Sequence, residues 1–433
     1  MLQIAPPVDD QSAKHPADVA DHLERLPVEE ASQMLHQLPP TRAAQILSEV
    51  EPDQRKHLVA ELSTGQLSEM VKQMPHDQAA DLLADVPDAQ RAEILAGLPG
   101  RSQVAELLRY PEDSAGGIMS DRFITLDANR TVGETLQRLH GIADRETTSI
   151  TYLYVTDADK RLVGVVPLRE LVFRRPDRRI RDIMLSDVKH VWADDDQETI
   201  ARMFDHYHYL AVPVLDRDRK LVGIVSASQV IDVLQSEATE DMQLMVGLSG
   251  EERARTPWKV SFPKRLQWLC INLVTAFLAG GVVGAFESTI AKWTALAIFL
   301  PIVAGQGGNA GIQTLTVIIR EMALGEMNKG DGWRALGKES LLGLLNGLAI
   351  GVIVGVVGWF WKHNVTLGII VGIAMLLNML AAAFAGVLVP FTLRAFRIDP
   401  ALASGILVTT VTDVAGFLFF LGLAALAIML GWV

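Results

Sequence analysis

The chain has 433 residues, 49% of them hydrophobic, and a formal net charge of −12 that divides into −16 over residues 1–250 and +4 over 251–433. An acidic soluble half argues against nucleic acid as a partner and favours metal cations, because crowded carboxylates repel one another until something neutralises them; solubility accounts for the acidity equally well. The single cysteine, Cys270, excludes a disulfide framework and any cysteine-rich zinc site.

Residues 1–110 come first in chain order. The start, with Pro6, Pro7, Asp9 and Asp10, lacks a basic stretch followed by an apolar core, so no signal peptide is expected and the N-terminal half is expected to stay in the cytosol. From residue 16 to 100 a rhythm takes over. Leu26, Leu38, Val50, Leu62, Met74, Val86 and Leu98 fall twelve apart, Pro follows at 27, 39, 75, 87 and 99, and Pro52 comes one place late. Such a period predicts a stack of short helices, a helical solenoid, with each Pro opening a first turn. Leu23, Leu35, Ile46, Leu47, Leu58, Leu82, Leu83, Ile94 and Leu95 supply its inward stripe. Asp77, Asp81 and Asp85 share one face of the helix after Pro75. Like charges at that spacing are destabilising, so a bound cation or a basic partner would relieve them; a merely solvated face is the simpler alternative.

Residues 111–180 and 181–236 are two copies of one pattern. "DADKRLVGVV" from Asp157 matches "DRDRKLVGIV" from Asp216, and Met119 before the first copy matches Met184 before the second. Each copy reads as helix, strand, acidic turn, strand, helix. The pair resembles tandem CBS domains, "VPVLDRDRKLVGIVSASQV" being the nearest match. That resemblance implies an α+β pair with an adenine-nucleotide cleft. The position where such domains often carry a ribose-binding Asp holds Glu170 in the first copy and Gln229 in the second, which weighs against ATP.

Residues 237–263 form a charged connector that leaves the second copy as an amphipathic helix and passes Pro257 into Lys264, Arg265 and Trp268, an interfacial anchor. Residues 264–433 then hold apolar runs near 266–290, 293–319, 340–361, 366–393 and 401–432, each long enough to cross a bilayer core of roughly 30 Å. Five crossings from a cytosolic start put the C-terminus outside. Lys259, Lys264, Arg265, Arg320, Lys329, Arg334, Lys338, Arg394 and Arg397 then lie inside, against Lys292 and Lys362 outside, in accord with the positive-inside rule.

Three places in these runs carry chemistry. Glu287, at the outer end of the first, either draws cations to a pore mouth or snorkels to the interface. The second contains four Gly and a Pro between Pro301 and Gly311, which breaks the pattern of an ordinary lipid-facing helix. Its backbone, Asn309 and Gln313 can offer oxygens to an ion or its water shell. The last contains a lone carboxylate, Asp413, among Gly405, Thr409, Thr410, Thr412 and Gly416. A charge at membrane depth marks an ion or proton route, unless it only hydrogen-bonds a neighbouring helix.

"GGNAGIQT" at 307–314, "EATED" at 237–241 and "TDVAG" at 412–416 together resemble motifs of the MgtE family of magnesium channels, and the likeness extends over nearly the whole chain. It implies a multidomain homodimeric membrane protein in a lipid bilayer: an α-helical solenoid N domain, a tandem CBS pair, a connector or plug helix and a five-helix all-α transmembrane domain. By the family pattern Asp413 is the pore carboxylate. The same pattern makes Asp196, Glu198, Asp232, Glu237, Glu240 and Asp241, with Asp77, Asp81 and Asp85, the cytosolic acids that bind Mg²⁺ between the N, CBS and plug regions and close the pore. Gly405 departs from a common Asn, and His208 and Gln229 replace sensor acids. Other readings stay open: a proton-coupled carrier for Mn²⁺ or Co²⁺, or a membrane-tethered nucleotide sensor. Preference among Mg²⁺, Mn²⁺, Co²⁺ and Ca²⁺ is open too. No H-E-x-x-H, G-x-S-x-G or phosphate-binding P-loop is present, so an enzyme is not expected.

Overall fold

The computed structural model describes residues 14–143, 151–250, 252–254, 256–327 and 330–432; the Pro6–Asp10 start and Lys329 lie outside them. The chain divides into two compact units, Met1–Leu234 and Gln235–Val433.

The first unit opens with the expected short helices: α1 (Pro16–Leu23), α2 (Val28–Gln37), α3 (Pro40–Glu49), α4 (Pro52–Glu61), α5 (Thr64–Val71), α6 (His76–Ala84), α7 (Asp88–Ala96) and α8 (Arg101–Leu107). Pro27, Pro39, Pro75 and Pro87 are N-caps in extended conformation, so each turns the chain as it starts a helix. Where the rhythm lacks a Pro, Ser63 does the work instead through a capping box with Gln66. Packing runs between alternate helices, α1 with α3, α2 with α4, α3 with α5, α5 with α7 and α6 with α8. Leu35, Ile46, Leu47, Leu67 and Leu83 are fully buried between them, each contributing about 1.5–3 kcal/mol of burial.

Two small sheets follow. α9 (Ala115–Ile118), β1 (Thr125–Asp127), α10 (Val132–Ala143), β2 (Tyr152–Thr156), β3 (Leu162–Pro167) and α11 (Leu168–Phe173) make the first copy. β4 (Val191–Trp192), α12 (Gln197–Tyr207), β5 (Ala211–Leu215), β6 (Leu221–Ser226) and α13 (Ala227–Met245) make the second. The two sheets share one topology: β1 parallel to β2 and β2 antiparallel to β3, repeated by β4, β5 and β6. The acidic turns explain themselves. Asp157 Oδ1 accepts from the backbone N–H of Asp159 and Arg161, and Asp216 Oδ1 from those of Asp218 and Lys220, at 2.8–2.9 Å. The repeated methionines trade places: Met119 lies on Gly223 of the second copy and Met184 on Gly164 of the first, where a Cβ would meet sulfur at 2.4 and 2.7 Å.

α13 is one helix running past residue 237, so the connector begins inside the last helix of the second copy. In the second unit α14 (Trp258–Ala285), α15 (Glu287–Lys292), α16 (Leu296–Ala323), α17 (Asp331–Lys362), α18 (Val365–Ala395) and α19 (Ser404–Met429) follow. α14, α17, α18 and α19 are long and apolar enough to cross a membrane. α16 is as long as α14, 28 residues, but Gln306, Asn309 and Gln313 interrupt its apolar run, so it is not among those four. It is also unbroken, contrary to the expectation from its Gly and Pro content. Pro301 falls in its second turn, and Gly307, Gly308 and Gly311 are packed, while Gly305 is exposed. The first apolar run ends at Ala285, so Glu287 opens the separate short helix α15. α18 is central, packing along α17, α16 and α19.

Candidate functional site

α16 has two unlike faces. Val303, Gly307, Gly308, Gly311, Thr314 and Leu315 are buried, whereas Gln306, Asn309, Gln313 and Thr316 are exposed. Glycine is needed on the buried face because α19 and α18 come so close: a Cβ on Gly311 would lie 2.5 Å from Val408 Cγ1, and one on Gly307 would overlap the amide of Asn378. Asn378 of α18 is fully buried, and its Nδ2 donates to the Val303 carbonyl at 2.8 Å. It also lies against Gly416, so it sits where the two helices bearing the candidate pore groups meet. Its Oδ1 has no hydrogen-bond partner. The sequence pattern gave no sign of Asn378, since one Asn among apolar residues shows its neighbours only after folding.

Asp413 lies on α19 one turn beyond Thr409, half-buried, with no hydrogen bond or ion pair among the described residues. That disfavours the alternative of an Asp engaged with a neighbouring helix. Thr409, Thr410 and Thr412 donate back to their own helix, to the carbonyls of Gly405 and Ile406, of Ile406, and of Thr409. The oxygens of the partly exposed Thr409 and Thr410 keep lone pairs for an ion's water shell, whereas Thr412 is fully buried. Asn309 and Gln313 stand on the open face of α16, and Glu287 is exposed at the start of α15, apart from the Asp413 seam in sequence and element. α17 begins at Asp331, so the third apolar helix includes Glu339, a buried acid that a run counted from residue 340 leaves out.

Gly405 has a structural reason. Ala403 N–H donates to the Leu244 carbonyl at 2.9 Å, and a Cβ on Gly405 would lie 2.5 Å from the Met245 carbonyl oxygen. The last turn of α13 thus rests directly on the first turn of α19, with Leu244 packed among Leu315, Ile319, Ala401 and Val408. Gly247 and Gly250 turn the chain away with φ of 77° and 81°, Gly250 closing over Glu240. Gln243 then clamps the strap, exchanging bonds with the backbone of Glu252, whose carboxylate pairs with Arg265 at 2.6 Å. That partner holds the Glu252 carboxyl below its ordinary pKa.

The cytosolic acids fall into separate groups. On α6, Asp85 pairs with Arg55 at 2.8 Å and Lys56 at 3.9 Å, and Asp77 with Arg122 at 3.4 Å, so this row is more than a solvated face. Asp81 reaches solvent, yet its carboxyl is crowded by protein at a small pocket lined by Ser48, Arg55, Met74 and Gln78. Desolvation, opposed by Arg55 and reinforced by Asp77, Asp85 and Glu112, raises its pKa to about 6. Asp232 is pushed up by burial and then by Glu51, an acid at the start of α4 that the sequence pattern did not mark. Asp196 caps α12 through the N–H of Glu198, and Glu198 pairs with Arg202 at 3.2 Å. Glu237, Glu240 and Asp241 continue along α13. His208 is the left-handed C-cap of α12. Glu170 accepts both guanidinium N–H groups of Arg174, and Gln229 is bonded to Ser226 and the Ile118 carbonyl, so both ribose-equivalent positions are engaged within the chain. Among the described residues no three His, Cys, Asp or Glu side chains converge as a metal-binding group.

A helical solenoid and a CBS-like pair ahead of a multi-pass bundle, whose seam carries amides, hydroxyls and one unpartnered carboxylate, define an ion-transporting membrane protein. Residues 300–423 match the MgtE divalent cation transporter family, 14–113 the MgtE intracellular N domain, and 115–177 and 180–236 the CBS domain. Magnesium transporters MgtE of Thermus thermophilus and Enterococcus faecalis are 38% and 36% identical, over 75% of this chain and 72% and 71% of theirs. The chain belongs to the MgtE family. Among solved structures, the cytosolic domain of the Mg²⁺ channel MgtE in complex with ATP aligns with a TM-score of 0.49 and 34% identity, over 52% of this chain and 93% of that one. The soluble part of a magnesium transporter aligns at 0.44 and 32%, over 53% and 95%.

Proposed function

We propose that the protein is a homodimeric Mg²⁺ channel, not an enzyme, that admits Mg²⁺ through the cell (inner) membrane and closes when cytosolic Mg²⁺ is plentiful. The observation that carries this reading is Asp413, an unpartnered carboxylate in an apolar helix that packs against α16. Mg²⁺ dehydrates reluctantly and is commonly held through its waters by one or two carboxylates and neutral oxygens. Asp413 supplies the charge, and Thr409, Asn309 and Gln313 supply oxygens for the hydration shell. A second copy would bring a second Asp413, and two neighbouring carboxylates repel until a divalent cation lies between them. A negative interior favours entry by ~4–5 kcal/mol per 100 mV for a double charge.

Two features support the dimer. The polar face of α16 is open, and only Ala279 of α14 is buried, so both helices offer surfaces for a second copy; an amide-bearing face is costly against lipid. The excess of basic residues on the proposed inner side supports a cytosolic N-terminus and an outer C-terminus. For gating, the seat of Leu244 and Met245 on α19 supports α13 as the element that bears on the pore end. The carboxylates on α6, α12 and α13 would bind Mg²⁺ in the closed arrangement. The engaged Glu170 and Gln229 support gating without ATP.

The test is Mg²⁺ uptake by liposomes containing the full chain. Asp413→Asn is expected to lower uptake at least tenfold while the protein still inserts as a dimer. Flux near wild type in that variant would remove Asp413 from the path. Uptake that requires an imposed pH gradient would replace the channel with a coupled carrier.

A further inference from the structure

Glu339 is a carboxylate with no place in the Asp413 seam. It lies on α17 at 6% exposure, accepts a hydrogen bond from Thr314 Oγ1 at 3.0 Å through Oε2, and has Lys338 Nζ 3.4 Å from Oε1. Thr314 is itself 8% exposed and is held from the other side by α18, where a Cβ on Gly386 would lie 2.7 Å from the Thr314 Cβ. α17 packs mainly along α18 and touches α16 only briefly, so this bond is a polar tie across a short contact. A buried carboxylate is tolerated when it is paired and hydrogen-bonded, and here the Thr hydroxyl and the Lys ammonium do both. With its charge already met, the group is suited to holding a neighbour in place.

What it holds is the rotation of α16. Thr314 follows Gln313 directly, and Asn309 and Gln306 lie one and two turns back on the same open face. Any turn of α16 that carried Thr314 off Glu339 would swing all three amides together. We propose that Glu339 is a positioning residue for Mg²⁺ conduction: through Thr314 it fixes α16 at the rotation that presents Gln306, Asn309 and Gln313 to the ion. The inference rests on the reading that this face lines the path.

The experiment measures Mg²⁺ and Ca²⁺ uptake by liposomes containing full-length Glu339→Leu, Glu339→Gln, Thr314→Val, the Glu339→Leu/Thr314→Val pair and Asn309→Leu. Glu339→Leu and Thr314→Val are expected to lower Mg²⁺ flux about tenfold each and to change the Mg²⁺:Ca²⁺ flux ratio in the same direction. The pair should be no worse than either alone, because both remove one tie. Glu339→Gln keeps an acceptor oxygen and should restore most of the loss. Glu339→Gln as poor as Glu339→Leu beside a normal Thr314→Val would mean the charge itself is required and would overturn the proposal, as would additive losses or unchanged fluxes. If Glu339→Leu fails to insert, Thr314→Val and Glu339→Gln decide by the same criteria. An Asn309→Leu variant with normal flux overturns the lining role of α16 and this inference with it. Reduced flux in Asn309→Leu with normal Glu339 and Thr314 variants overturns this inference alone.

Discussion

Asp81 carries a charge that folding makes expensive. Its carboxyl titrates near 6 in the folded chain against 3.8 ordinarily, so between those values the folded state binds more protons than the unfolded one. The contribution of Asp81 to N-domain stability is therefore most favourable below the lower value and is lost as pH rises through the upper. Asp81→Asn keeps the shape and removes the charge. At pH 7 without Mg²⁺, the urea concentration at which residues 14–110 become susceptible to protease should rise, and its slope between pH 4 and 6 should flatten. A lower resistance in the variant would mean that the carboxylate serves Arg55 more than it suffers from crowding. Residues differ in how plainly the sequence shows them. Asp413 is legible because a single charge interrupts an apolar run, and the rows on α6 and α13 because acids recur at helical spacing. Asn378 and Glu339 are not: one amide disappears in the apolar pattern of α18, and Glu339 follows Arg334 and Lys338 as a loop residue would. Their meaning comes from Gly307, Gly416 and Thr314, which are distant in the chain.

Among the elements, the solenoid helices were legible because Pro acts locally, fixing its own φ and ending the helix before it. α16 misleads for the opposite reason. Its glycines weaken an isolated helix, but Gly307, Gly308 and Gly311, buried against Asn378, Thr412 and Val408, permit contacts that hold it together. The connector helix and α19 meet in a similar way at Gly405, where nothing separates the Met245 carbonyl from the backbone. Gly405→Asn must move one element off the other. The Mg²⁺ concentration that closes the channel is then expected to rise about threefold or more, with flux at low Mg²⁺ retained, in a stopped-flow titration of liposomes. An unchanged midpoint would show that this seat is not a property of the closed state.

For the whole molecule, the division of charge is the fact with most reach, since the proposed gating makes cytosolic Mg²⁺, beside an acidic half joined to a basic membrane half, both cargo and signal. If many weak carboxylates share the sensing, as proposed, losing a few should weaken closure and not abolish it. Glu240→Ala with Asp241→Ala should shift the closing Mg²⁺ concentration upward by about two- to fivefold, leaving flux at low Mg²⁺ intact. Closure at lower Mg²⁺ would rule the pair out as sensors. The helix pair α17 and α18 bears on how such a signal can act. A Cβ on Gly351 would lie 2.7 Å from the Gly372 carbonyl oxygen, and one on Gly368 2.5 Å from that of Gly355, so the two backbones touch with no side chain between them. Packing of that kind has no rotamers to exchange and no slack to take up. In mechanical terms the pair is a stator. Displacement within the bundle would then have to fall where side chains intervene, around α14, and not along this pair.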